Sequence, residues 1–277
     1  KKGWVMAAIN TNVRALNARA SAVAATSRME KAMERLSSGR RINSASDDAA
    51  GLAVAGKMES QLRGINMSIR NAQDGMGLIQ TAEAGVNEIR NMVLRIRELA
   101  VQMANGIYED TPDRDNAQLE VQALKDQVNL IANYTRFNDT SLIDGTFAAV
   151  DLQVGNTTTE TIAITIASMT TTGLSISGVV VTSQADASAT ITTMDTALQT
   201  ISSTQATLGS FINRLSYSVA NLSKSSVMTE QALGRIVDAD FAKETSNLSK
   251  EQILNQAATS MLAQANQSKQ SILALLQ

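Results

Sequence analysis

Residues 191–222, ITTMDTALQTISSTQATLGSFINRLSYSVANL, decide the fold class. Ile191, Met194, Leu198, Ile201, Gln205, Leu208, Ile212, Leu215, Val219 and Leu222 alternate steps of three and four, the heptad spacing of a coiled-coil seam. A strand would need a period of two, and nothing in this stretch breaks the helical one. The chain therefore contains at least one long helix with an apolar stripe, and that stripe needs a partner.

Earlier in the chain, Met58, Leu62, Ile65, Ile69, Ala72, Met76 and Ile79 repeat the spacing. A step of three to Ala82 interrupts it, and Val86, Ile89, Val93, Ile96, Ala100 and Met103 resume it. A lost residue of this kind is a stammer, which overwinds a supercoil locally. Gly75, Gly77 and Gly85 surround it, so a kink or a close helix contact is expected there. Ser46-Asp47-Asp48 precedes this helix as an N-cap with first-turn acids. Thr111-Pro112 with Asp113 and Asp115 opens another, with Val121, Leu124, Val128 and Ile131 as its stripe.

Both ends of the chain read as helices as well. Val13, Leu16, Ala20, Val23, Met33 and Leu36 form a loose heptad that Gly39 stops as a C-cap. From Met6 to Ala45, seven Lys and Arg stand against two Glu, a local charge of +5. At the other end Leu254, Ala258, Met261, Ala265, Ser268, Ile272 and Leu275 keep the heptad, and Gln252–Gln277 carries a single charged side chain, Lys269. A helix that poor in charge is normally covered on every face. Termini fray unless something holds them.

From Phe137 to Asn213 there is no Lys or Arg, and Thr dominates. Ile162, Ile164 and Ile166 alternate with polar or small residues as a half-buried strand. Val150–Val154, Leu174–Ile176 and Val179–Val181 are further strand candidates between Gly155-Asn156 and Gly173 turn signals. The expected fold is mainly α: long antiparallel coiled-coil helices forming a rod, with a small β-hairpin region at about 140–186.

Composition narrows the function. The chain has no His and no Cys, which removes imidazole catalysis, thiol nucleophiles and His/Cys metal sites. Aromatic residues make up 3% and the net charge is −2, so neither a basic field nor base-stacking platforms favour nucleic acid. No apolar run is long enough to cross a bilayer. Met6 reads as the initiator, with residues 1–5 an extension. The twelve Met fall mostly on heptad seams and read as core filler, and Asp139, Asp144 and Asp151 lack calcium-loop spacing. No catalytic residue, cofactor or metal is expected.

Several segments resemble bacterial flagellin, in the family's order: INTN from Ile9, LSSGRRINSASDDAAG from Leu36, LRIRELAVQ from Leu94, RFND from Arg136, and DADFAKETSNLSKEQILNQAATSMLAQANQ from Asp238. The resemblance implies a structural subunit of the flagellar filament, secreted and extracellular, serving motility and lacking enzymatic activity. It implies an inner domain of paired terminal helices, residues 6–45 and 238–277, lining a central channel. The helical rod domain, 46–237, surrounds it. With only about 45 residues between Ile143 and the returning helix, the chain is similar to a near-minimal flagellin with little or no outer-domain insert.

The implied partners are further copies of the chain in a helical homopolymer, the flagellar export apparatus, a flagellin chaperone, and hook-associated and cap proteins. Val13, Leu16, Val23, Leu36, Leu254, Met261, Ile272 and Leu275 are the expected assembly seam. Arg95, Leu99 and Glu120 match the surface that a vertebrate Toll-like receptor reads, although they also fit as ordinary rod residues used between subunits. The alternatives are a hook–filament junction protein, which shares the terminal helices, and a surface adhesin or ligand-binding module in the Thr-rich centre. A membrane-surface amphipathic helix is disfavoured because the tail has almost no Lys or Arg.

Overall fold

The computed structural model describes residues 11–274, with the side chains of 269 and 271–274 left aside. Leu275, the Ile272 side chain and the extension at 1–5 thus lie outside the described residues. Five helices follow one another: α1 Val13–Ser38, α2 Ala49–Met103, α3 Asp115–Tyr134, α4 Gln184–Val237 and α5 Phe241–Ala274. Between α3 and α4 lie four short strands, β1 Arg136–Phe137, β2 Thr140–Ser141, β3 Val150–Gln153 and β4 Thr161–Ile164. They form two antiparallel pairs, β1–β2 and β3–β4. The chain divides into two compact units. One runs to Ser60 and resumes at Thr229; the other spans Gln61–Met228.

The second unit holds the main core. Ile79, Ile89 and Ile96 of α2 and Met194, Ile201, Leu208 and Leu215 of α4 are fully buried, as the heptads require. Three polar contacts cross the same helix pair: Asn66 with Ser226, Asn87 with Gln205, and Arg97 with Asp195. Moving down α2 by twenty-one and then ten residues moves up α4 by the same amounts. The pairing is therefore antiparallel in one unbroken register.

The stammer is real in burial terms, since Ala72, Ile79, Ala82, Val86 and Ile89 are all enclosed. The helix continues through it: α2 runs without a break. The glycines instead admit the polypeptide that crosses them. A Cβ on Gly75 would overlap the Leu152 side chain of β3, and one on Gly85 would meet Thr135 at 2.6 Å and Ile143 at 3.0 Å.

The Thr-rich centre departs from expectation in one respect. β3 and β4 form as read, but Leu174–Ile176 and Val179–Val181 are irregular, although Leu174, Ile176, Val179 and Val181 are all buried. Leu174, Ser175, Ile176 and Val179 donate to backbone carbonyls three to five residues back as turns, Thr190 of α4 donates to the Val180 carbonyl, and α3 side chains meet further backbone groups, so no neighbouring strand is needed. Thr171 donates its N–H to Asn129 at 2.9 Å, Lys125 donates to the Val179 carbonyl at 3.2 Å, and the Val181 N–H donates to Gln118 at 2.8 Å. Alternating burial revealed the buried side chains but could not say what would satisfy the backbone. The β1–β2 turn was not read from sequence. Its signal was Asn138-Asp139, two residues that tolerate the positive φ values of 47° and 62° found there.

The glycines give a direct test. Gly85→Val should cost about 1–3 kcal/mol through overpacking. Gly77→Ala meets nothing within 4 Å and should gain about 0.5–1 kcal/mol by restricting the unfolded chain. Urea unfolding followed by circular dichroism measures both.

Candidate functional site: the terminal helix pair and its junction

The first unit contains α1 and α5, and the facing residues of α1 are mostly alanine. On α1, Ala15, Ala18, Ala22, Ala25, Met29, Ala32 and Leu36 are partly or fully buried in a three-four alternation, with Thr26 and Arg35 partly buried beside them. On α5 the partly or fully buried positions are Glu244, Leu248, Glu251, Asn255, Ala258, Leu262 and Ala265. Alanine at successive seam positions lets two helix backbones approach closely while keeping helix propensity at its maximum.

Polar contacts set the register of this seam. Arg28 sits 3.0 Å from Glu251 and Arg35 sits 3.3 Å from Glu244, a step of seven on each helix in opposite directions, so α1 and α5 are antiparallel. Asn255 donates to Thr26 and Asn12 donates to the Ala265 carbonyl at 3.1 Å, extending the pairing towards the chain ends. Asn12 also caps α1, accepting from the Ala15 N–H. The Glu251 carboxylate is buried, and its contact with Arg28 is an ion pair lacking hydrogen-bond alignment.

Where α1 turns into α2 and α4 into α5, the two connections zip together. Gly39 closes α1 in the left-handed conformation at φ 68°. Arg41 donates its N–H to the Val237 carbonyl at 2.6 Å, and Ala239 donates to the Gly39 carbonyl at 2.9 Å. The Arg41 guanidinium reaches the Ile236 carbonyl at 2.6 Å. Asp240 caps α5 through the Ala242 and Lys243 N–H groups.

The α2 cap is Asp48, which accepts from the Gly51 N–H at 2.8 Å, rather than Ser46 as the sequence suggested. Asp47 has a different task. It accepts the N–H groups of Asn43 and Ser44 and lies 3.8 Å from Arg35 and 4.0 Å from Lys31. The Asn43 and Ser44 backbone bonds hold its carboxyl below the usual carboxylate range, with the Ser44 hydroxyl and Arg35 acting the same way. Asp47 thus finds its cations, Arg35 and Lys31, on α1.

The expected seam residues sit elsewhere than on the intramolecular seam. Val13, Leu16, Val23, Leu254 and Met261 are exposed, Val23 at 62% and Met261 at 64%, and only Leu36 is half-buried against the partner helix. Phe241 and Ile253 are exposed as well. On α1 alanine takes most of the inward positions, with Met29 and Leu36 among them, while on α5 Leu248 and Leu262 alternate with Ala258, Ala265 and the polar residues.

In the second unit, Arg95 donates to Glu120 at 2.9 Å and to Glu98 at 3.3 Å, with both partners exposed. Leu99 does not join them on the surface. At 4% exposure, one turn along from Arg95, it belongs to the core with Ile96 and Met103. Arg114 escaped the sequence reading. It is 4% exposed and donates to the carbonyls of Met103, Asn105 and Tyr108 and to Asp110, closing the end of α2 and shaping the turn into α3. Among the described residues no cluster of His, Cys, Asp or Glu could hold a metal ion, and no helix is long and apolar enough to cross a membrane.

Comparison with known proteins places this architecture. The bacterial flagellin N-terminal helical region matches residues 9–148, and the bacterial flagellin C-terminal helical region matches residues 191–276. A flagellin of Halalkalibacterium halodurans is 40% identical over 272 residues, covering 97% of this chain and 99% of its own. A flagellin of Bacillus subtilis is 39% identical over 301 residues with the same two coverages. The crystal structure of Bacillus cereus flagellin aligns with a TM-score of 0.50 at 34% identity, over 55% of this chain and 88% of that one.

The junction's acid has a checkable pH signature. Because the folded pKa of Asp47 is depressed, its stabilisation is present above the ordinary aspartate value of about 3.9 and is lost as pH falls through the lower folded value. Acid titration of helicity should show Asp47→Asn less stable than the parent at pH 6, with the difference shrinking below pH 4.

Proposed function

The chain belongs to the bacterial flagellin family, and from that premise we propose that its terminal-helix unit is completed by neighbouring copies of itself. Flagellins are structural subunits of the bacterial flagellar filament, not enzymes, and the chain polymerises with itself into that extracellular filament. In the proposal, residues 6–45 and 238–277 form the inner domain and 46–237 the rod domain. Val13, Leu16, Val23, Leu254 and Met261 are the seam that copies cover, with Leu36, Ile272 and Leu275 continuing it.

One observation carries this reading. Although α1 and α5 pair through Ala25, Ala32, Ala258 and Ala265, they leave Val13, Leu16, Val23, Met33, Ile253, Leu254 and Met261 exposed. Contiguous apolar surface on a soluble chain marks an interaction site. Each copy meets the next through different surfaces, a heterologous contact that does not close and so builds a helix of subunits.

The proposal extends to delivery. Export through the flagellar secretion apparatus with a chaperone, addition at the tip beneath a cap protein, and attachment through hook-associated proteins follow from family membership. The Arg95–Glu120 pair is likewise proposed as a Toll-like receptor contact, with Leu99 supporting it from beneath. This is favoured by the exposed, hydrogen-bonded arrangement of the two charged side chains.

Seeded growth tests the central claim. Purified chain added to filament fragments should elongate into tubes visible by electron microscopy, whereas Val23→Glu, Met261→Glu and a chain ending at Glu251 should not. Normal tubes from all three variants would remove the assembly seam. For the receptor contact, Arg95→Ala should lower signalling by cells expressing the receptor; an unchanged dose response would remove that assignment.

A further inference from the structure

The turn between α2 and α3 holds the only Asn-Gly pair in the sequence, Asn105-Gly106, and both residues are exposed. Glycine brings no Cβ to shield its peptide nitrogen from the preceding side chain. That nitrogen is also uncommitted. The Asn105 N–H donates to the Gln102 carbonyl at 3.3 Å and the Tyr108 N–H to the Asn105 carbonyl at 3.4 Å, but the Gly106 N–H has no acceptor among the described residues. The Ile107 N–H donates to Asn105 Oδ1 at 3.3 Å. This bond closes a ring around the Gly106 peptide and draws electrons from Asn105 Cγ, the atom a nucleophile would attack.

The main-chain carbonyl of Asn105 faces a second group. It accepts from Arg114 Nη2 at 3.0 Å. The guanidinium is buried, and its other N–H groups reach the carbonyls of Met103 and Tyr108 and the Asp110 carboxylate. A carbonyl held by a buried cation is a better electrophile than a free one. A carboxylate formed at that position would gain a charge-assisted hydrogen bond.

We propose that Asn105-Gly106 is a self-modifying site that deamidates to isoaspartate, with Arg114 selecting that product. The Gly106 nitrogen attacks Asn105 Cγ and loses its proton, and the side-chain nitrogen leaves as ammonia. A succinimide results, a ring that contains both Asn105 carbonyls and the Gly106 nitrogen. Water then adds to the main-chain carbonyl, the one Arg114 holds, and its bond to the Gly106 nitrogen breaks. That carbonyl becomes a carboxylate on Arg114, and the chain continues through the former side chain. Water enters and ammonia departs; nothing is oxidised or reduced.

A second pair in the chain sharpens the requirement. Asp144-Gly145 has the same turn, with the Thr146 N–H donating to Asp144 Oδ1 at 2.8 Å. There the Thr146 hydroxyl and N–H hold the carboxyl below the usual carboxylate range. An ionised carboxylate resists attack, so this pair stays intact near neutral pH. The Asn105 amide has no such protection.

Mass spectrometry tests the site on the full chain, incubated at neutral pH either folded or in urea. Trypsin cuts after Arg97 and Arg114 and releases the pair in one peptide. Electron-transfer fragmentation separates isoaspartate from aspartate, and a protein-isoaspartate methyltransferase with S-adenosylmethionine counts the isoaspartyl carboxylates. The folded chain should deamidate at Asn105 about tenfold faster than at its other asparagines, because only here does glycine follow. Its isoaspartate-to-aspartate ratio should be about threefold above that of the unfolded chain, which lacks the Arg114 bond. Gly106→Val should stop the reaction, since a β-branched side chain shields the nitrogen. Its Cβ would come no closer than 3.6 Å to Gln184, so the fold has room for it. Arg114→Lys should leave deamidation in place and lower the ratio to the unfolded value. If that variant does not fold, the folded and unfolded parent chains carry the same comparison. An Asn105 that stays intact in the folded chain overturns the site, and equal ratios in the folded and unfolded chains overturn the role of Arg114.

Discussion

The alanine seam between α1 and α5 is the constraint on which the rest turns. Alanines at 15, 18, 22, 25 and 32 face α5, where Ala258 and Ala265 alternate with Leu248, Leu262 and polar residues, so the helices can lie close over much of their length. They bury little in doing so. Fixing each residue costs about 1–2 kcal/mol, and a seam of small methyl groups recovers a modest part of that. A helix pair of this kind persists because something else covers its outer faces. Assembly is thereby built into the folding of the termini: larger seam residues would make the pair self-sufficient and remove its need for neighbours.

Thin seams create a second problem, which is specificity. Alanines look alike, so a slip along the pair changes little in packing. The polar rungs answer this. Arg28–Glu251 and Arg35–Glu244 recur at one heptad, and Asn12 with Ala265 and Thr26 with Asn255 fall on the same antiparallel path. A slip by anything other than a heptad would leave Glu244 and Glu251 enclosed without cations, a heavy cost for a buried charge. The second unit uses the same device between α2 and α4, with Asn66–Ser226, Asn87–Gln205 and Arg97–Asp195 in one register. Its deeper core of Ile, Leu and Met already constrains the fit.

The sequence disclosed helices more readily than faces. The heptad from Ile191 to Leu222 foretold α4 because Leu and Ile at seam positions point to the interior when the core is thick. On α1 the heptad of larger residues, Val13, Leu16 and Val23, lies on an exposed face of the single chain, and alanines take most of the inward positions. A heptad of alanines running from Ala15 to Ala32 was available in the sequence and was the better guide. Leu99 was misplaced for a related reason. It borders Ala100 on the heptad, and burial of both shows a seam two residues wide at that level. Arg114 could not be read at all, since its role depends on carbonyls brought together only when the turn from α2 to α3 has formed.

Threonine shows how local preference yields to spacing. The residue is β-branched and favours strands, and it dominates from Phe137 to Asn213. Where apolar residues alternate, around Ile162 and Ile164, it lies in a hairpin. Where they fall at three and four, from Thr190 onward, it lies in an unbroken helix. Its hydroxyl makes the second state tolerable by donating to the carbonyl four residues earlier, a bond seen at Thr193, Thr196, Thr200, Thr204 and Thr207. That compromise has a consequence at the surface. A threonine whose hydroxyl proton is satisfied internally shows the surroundings a methyl group and lone pairs, so threonine adds no unmet donor to the helix surface that it lines.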